Sequence, residues 1–255
     1  MNKYVWFPVL ALIATPAFAQ DWAPSGPPKV LAVTTEFLKP GQAATHEKIE
    51  SGWPRAFRKA NWPYHWLTVS SVSGTDRLLF LTGYQSFADA QADDTSQSAL
   101  DWLRIEQEKL TIEDSAYVAS KTHQTAVYEP DLSLRSNAPL GGARYLLVTS
   151  IEVEPAQEQE FRKQLRAYML GKQRGNYTEH YATYRIVLGA RDTSFVMLQP
   201  LQSMQALDQG VVSSVNNLPT AGVRTIRRDL MAFSPGMSYV SEEFAAGNTA
   251  FWFPD

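Results

Sequence analysis

The stretch Asn61-Trp-Pro-Tyr-His65-Trp-Leu-Thr-Val-Ser-Ser-Val-Ser-Gly74 has an echo further along the chain, Asn176-Tyr-Thr-Glu-His180-Tyr-Ala-Thr-Tyr-Arg-Ile-Val-Leu-Gly189. The two align without a gap at an offset of 115, and Asn, His, Thr, Val and Gly are identical at 5 of 14 positions. Chance supplies about one such match, so the chain reads as a tandem repeat. An aromatic residue follows the first Asn, and another the His, in both copies.

The register holds on both sides of the echo. Upstream, the β-rich run Lys29-Val-Leu-Ala-Val-Thr-Thr-Glu-Phe37 has its counterpart in Arg144-Tyr-Leu-Leu-Val-Thr-Ser-Ile-Glu152, and prolines stop both at matched places, Pro40 and Pro155. Helical spacing follows each proline: His46, Ile49, Trp53 and Phe57 in the first copy, Phe161, Leu165, Tyr168 and Met169 in the second. Pro54 is expected to kink or restart the first of these helices. Each echo stretch is a second strand that turns at Gly74 or Gly189 into a third, Leu78–Thr82 or Ser194–Leu198. Further helices are predicted over about 98–113 and 222–231, and closing strands near 125–129 and 237–241.

The order is βαββαβ, twice. Such a unit is a four-stranded antiparallel sheet with helices on one face, the ferredoxin-like arrangement, and two copies can bury their bare faces together. The fold class is therefore α+β, two tandem βαββαβ repeats packed as a single-chain barrel. On element order and repeat, the chain resembles the dimeric α+β barrel superfamily in its fused form. That superfamily includes antibiotic-biosynthesis-type monooxygenases, stress-responsive barrels, muconolactone-isomerase-like enzymes and NIPSNAP-type proteins. The resemblance spans about residues 29 to 244 and carries no specific family motif.

At the N-terminus Lys3 precedes an apolar run from Tyr4 to Ala14, and Ala17-Phe18-Ala19 has the small-x-small pattern of signal cleavage. The expectation is export to a bacterial periplasm after cleavage behind Ala19, with an uncleaved anchor as the alternative. The predicted division is signal peptide 1–19, leader 20–28, first repeat 29–134, connection 135–142, second repeat 143–244 and an aromatic tail 245–255. No later run of the sequence is long and apolar enough to span a bilayer. The net charge is -3 and no basic run exceeds Arg227-Arg228, so nucleic acid is not an expected partner. With no cysteine in the chain, disulfides, thiolate nucleophiles and Cys-bound metals are excluded. There is also no Gly-x-Ser-x-Gly elbow, phosphate loop or dinucleotide fingerprint.

His65 and His180 are the leading catalytic candidates, since imidazole transfers protons near neutral pH. Duplication of a purely structural histidine explains the match equally well. Asn61 and Asn176, with Trp62, Trp66, Tyr177 and Tyr181, form the candidate ligand-binding set, and Arg185 could neutralise a substrate carboxylate. The alternative for each Asn is a turn between helix and strand. The resemblance implies that cofactor-free barrel monooxygenases place Asn, Trp, Tyr and His around an aromatic substrate, and Asn61, Trp62, His65 and Trp66 are similar in kind. His46 sits alone on a core stripe, and His123 lies in a polar segment. His46-Glu-Lys-Ile-Glu50 ends in Glu where a zincin helix needs a second His, so no metal is expected there. No cofactor is expected, haem being the one the resemblance leaves open. The predicted partner is a small apolar or aromatic molecule held between the sheets. The alternative is a non-catalytic carrier or protein-interaction barrel.

Overall fold

The computed structural model describes residues 27–135, 143–175, 177–208 and 217–240. The expected signal peptide and aromatic tail, and Asn176, lie outside the described residues. So do nearly all of the leader and of the connection. The first half contributes β1 (Val30–Leu38), α1 (Ala43–Glu50), α2 (Gly52–Lys59), β2 (Trp66–Ser71), β3 (Arg77–Tyr84), α3 (Phe87–Ala99), α4 (Asp101–Ser115) and β4 (Val118–Tyr128). The second contributes β5 (Tyr145–Val153), α5 (Glu158–Arg174), β6 (Ala182–Leu188), β7 (Thr193–Leu201) and β8 (Val223–Phe233).

Local chemistry accounts for several boundaries. Ser51 separates α1 from α2, and Pro54 then falls in the first turn of α2, where its missing N–H has no helical partner to lose. The Ser86 hydroxyl accepts from the Asp89 N–H and starts α3. Gly74 and Gly189 take φ of +85° and +82° in the two hairpin turns, the left-handed conformation that glycine adopts without steric cost. At Gly189 a Cβ would also stand 2.2 Å from the His123 carbonyl oxygen.

All eight strands pair antiparallel in one closed ring, β1-β3-β2-β8-β5-β7-β6-β4. The first half supplies the run β4-β1-β3-β2 and the second β8-β5-β7-β6. The two runs join through β2 with β8 and β4 with β6, so the ring has no free edge. Alternate residues of all eight strands meet inside it, among them Leu31, Val69, Leu81, Val148, Tyr184 and Met231. Outside, Val30, Phe57, Trp62 and Leu103 pack the first half against its helices. Ile151, Phe161, Leu165 and Phe195 do the same for the second half under α5.

Two expectations differ from the structure. The helix predicted over 222–231 is strand β8, and 235–237 is a 3₁₀ turn rather than part of a closing strand. Ile226 and Leu230 are four apart, a spacing that fits a helical face and one face of a strand alike. Pairing along β5, from Val153 opposite Val223 to Tyr145 opposite Ala232, decides for the strand.

After β4 and after β8 the chain crosses to the other half and latches there in matching ways. Residues 235–239 reach β2, where Trp66 and Tyr239 exchange both backbone bonds at 3.0 Å. Residues 130–134 reach β6, where Tyr181 and Leu134 do so at 2.8 and 3.0 Å. The Thr68 hydroxyl donates to the Met237 carbonyl at 2.9 Å, and the Thr183 hydroxyl to that of Leu132 at 2.6 Å. Their backbone N–H groups donate to Ser238 Oγ and Ser133 Oγ. The threonine shared by the two echo stretches is thus a buried latch in both.

Candidate functional site

The barrel interior is walled mainly by aliphatic side chains, joined by Tyr128, Tyr184 and Phe233. The Tyr128 and Tyr184 rings lie 5.5 Å apart. Complete burial pushes ionisation of the Tyr184 hydroxyl well above its ordinary value, so it is a neutral phenol. His65 precedes β2 on the alternation that runs inward through Leu67 and Val69, and its ring centroid is 6.0 Å from that of Tyr239. It is buried, and burial pushes its pKa down to about 4. At neutral pH the ring is an uncharged imidazole, able to accept or donate a hydrogen bond and to take up a proton.

The remaining expected residues are dispersed by the same alternation. Strands β2 and β6 occupy opposite walls of the ring, so His65 and His180 do not converge on one point. His180 is half-buried, with Nδ1 bonded to the Arg135 carbonyl at 2.7 Å. Trp62 and Trp66 face the helices rather than the interior. The Trp62 indole N–H donates to Asp93 at 2.8 Å, and the Trp66 indole N–H to the Met237 carbonyl at 2.8 Å. Tyr181 is buried under α5. Arg185 sits against Glu129 at 3.3 Å, a carboxylate also held by Arg162. Tyr177 is exposed and covers Lys172, whose ammonium lies 4.2 Å from the ring centroid. Asn61 is exposed with φ of +48° and closes α2, the turn role. For Trp66, Tyr181 and Arg185 the expected ligand contact gives way to outward packing and ion pairing, because along the strand they alternate with the inward positions, while Trp62, in the connection between α2 and β2, is turned outward by its bond to Asp93.

A second polar constellation lies outside the barrel, between the first half's sheet and its helices. Glu36 comes from β1, His46 and Glu50 from one face of α1, and Asp114 from the end of α4; all four are buried. One donor atom from each lies within 4.8 Å of the others. His46 Nε2 is 3.0 Å from Glu36 Oε2 and 2.9 Å from Asp114 Oδ1. Lys121 Nζ holds the other Glu36 oxygen at 2.5 Å. Burial works against a charged His46, but the Asp114 and Glu36 carboxylates outweigh it and raise its pKa to about 9. Burial and the same two carboxylates raise Glu50 to about 8. Reading the sequence for a second histidine passed over this cluster. The local signal was His46 and Glu50 four residues apart on one helical face, while Glu36 and Asp114 arrive through tertiary packing alone.

The haem reading left open by the resemblance needs a histidine nitrogen free to serve as axial ligand. All four histidines of the chain are described, and they fit that role poorly. His46 lies between sheet and helices and His123 bonds Thr34 on an exposed surface. His180 is tied to a backbone carbonyl, and the His65 ring lies beside Tyr239, a member of the outer layer.

No family model and no curated protein matches the sequence. Solved structures do match the fold. A monooxygenase candidate from Lactobacillus acidophilus superposes with a TM-score of 0.53 at 6% identity, covering 85% of this chain and 97% of its own. An anthrone oxidase-like protein gives 0.54 at 14% identity, covering 81% and 92%. A chlorite dismutase variant from Candidatus Nitrospira defluvii gives 0.54 at 11% identity, covering 82% and 93%. The chain shares with them the α+β barrel fold, and at these identities the likeness is one of fold.

Proposed function

We propose that the protein binds a small, largely apolar or aromatic molecule within its barrel, with neutral His65 as the polar contact. The observation that carries this reading is a buried, uncharged imidazole next to β2, whose Leu67 and Val69 belong to an interior walled by aliphatic and aromatic side chains. Such a site excludes water and charge, and selects an apolar body carrying one hydrogen-bonding group. With a phenol or enol as ligand, neutral His65 accepts a hydrogen bond from the hydroxyl group through Nε2 or Nδ1. A ligand held this way is open to cofactor-free oxidation by dioxygen or to isomerisation, the activity class suggested by the monooxygenase and oxidase names among the fold's relatives. On this reading the two halves are duplicates of one ferredoxin-like unit, the first half kept the site, and the protein works after export and cleavage behind Ala19. The alternative reading is a carrier that holds the same ligand unchanged.

Native mass spectrometry of the protein purified from its own host tests the reading. An apolar small molecule should travel with the wild type and be lost from His65→Leu, a variant whose fold is checked by circular dichroism. Oxygen uptake on adding phenolic aromatics separates enzyme from carrier. A wild type that arrives empty and binds no phenolic probe overturns the proposal, as does a His65→Leu variant with undiminished binding and turnover.

A further inference from the structure

We propose that Glu36, His46, Glu50 and Asp114 form a binding site for a divalent transition-metal cation, separate from the barrel interior. Four donors from three elements converge without solvent between them and the protein surface: their residues are 1%, 0%, 5% and 6% exposed. Donors about 2.1 Å from a shared metal ion lie roughly 3 to 4 Å from one another. The observed atoms, within 4.8 Å of each other, need only a small inward movement to reach that geometry.

A second observation points to the cation. An imidazole Nε2 carries at most one hydrogen, yet here it faces two carboxylate oxygens at 2.9 and 3.0 Å. Glu36 accepts that hydrogen, and Asp114 Oδ1 is left buried without a hydrogen-bond partner, aimed at the nitrogen. The imidazolium offers that oxygen charge but no second hydrogen, and a metal cation among the four donors would bond it directly. The nearby positive charge is Lys121, which already engages the far oxygen of Glu36. Without a metal, protons on His46 and Glu50 balance the cluster; a dication that displaces both would be neutralised by three carboxylates set against Lys121 and a neutral imidazole.

The donor set selects the class of ion. One imidazole nitrogen with three carboxylates and no sulfur suits Mn(II), Fe(II) or Zn(II), whereas Ca(II) and Mg(II) favour oxygen throughout. Glu36 points away from the barrel interior, so the ion would pin β1 to α1 and α4 and act on stability. Lys121 serves as a positioning residue by fixing the Glu36 carboxylate.

The test uses the full mature protein, stripped with chelator, incubated separately with Mn(II), Zn(II) and Mg(II), desalted, and analysed for metal content and thermal unfolding. The expected result is roughly one equivalent of Mn(II) or Zn(II) retained per chain, little Mg(II), and a rise in Tm of about 5 °C or more. Glu50→Gln and His46→Gln should each lose both the retained metal and the Tm rise. Co(II) provides a spectroscopic check, its visible bands in the wild type changing in His46→Gln. Wild type that retains no metal and shows no Tm shift overturns the proposal, even if the variants fail to fold. Equal retention by wild type and folded variants would mean an adventitious ion and overturns it as well.

Discussion

Burial holds His65 neutral, and this sets a pH dependence that belongs to one ring. The unfolded chain takes up the proton near 6.5 and the folded chain only near 4, so between these values the unfolded state binds more protons. The stability that His65 contributes is therefore present above about pH 6.5 and lost as the pH falls through 4, by up to about 3 kcal/mol. Urea unfolding of wild type and His65→Gln from pH 7 to pH 4 should show the wild type losing ground to the variant by that amount. His46 and Glu50, whose raised pKa values act in the opposite sense, titrate in both proteins and cancel in the difference. Parallel curves would place the ring in contact with water. The sequence marked His65 by its recurrence, but burial is a property of what surrounds it. The same limit explains Trp62 and Trp66, whose aromatic character was plain while their outward direction was not.

Among the elements, β2 and β6 depend on segments contributed by the opposite half. Thr68 and Thr183 are fully buried, and each hydroxyl satisfies a backbone carbonyl of a crossing 3₁₀ turn. Replacing either by Val keeps the shape and strands that carbonyl, at a cost of about 1–3 kcal/mol. Chemical denaturation should show comparable losses for Thr68→Val and Thr183→Val, and nearly none for Ser98→Ala on the exposed face of α3. A neutral result at both threonines would remove the latch from the account of stability. The strand and hairpin order was legible because proline stops, left-handed glycines and period-two runs act within a few residues. Within β8, Ile226 and Leu230 satisfy both periods, and only the presence of β5 alongside decides between them.

For the molecule as a whole, the closed ring leaves neither half a complete surface of its own. The two strand runs share β2 with β8 and β4 with β6, and each half's crossing segment completes the other. Unfolding should therefore be a single transition. The tryptophans provide the check: Trp53, Trp62, Trp66 and Trp102 lie in the first half, and residues 143–240 contain none. With Trp6, Trp22 and Trp252 replaced by Phe, fluorescence weighted to the first half and far-UV circular dichroism reporting both should give coincident curves in denaturant. Separate midpoints would mean that the halves unfold independently.

By itself the sequence determined the mixed α+β class, most of the strands and helices, and the positions of the two hairpins, since these rest on spacing and backbone chemistry between near neighbours. The tertiary structure alone decided which face of each strand turns inward, and so which aromatics pack outside and which histidines are buried. It also assembled Glu36, His46, Glu50 and Asp114, because convergence of donors from β1, α1 and α4 depends on how the elements pack, and no local pattern encodes that distance.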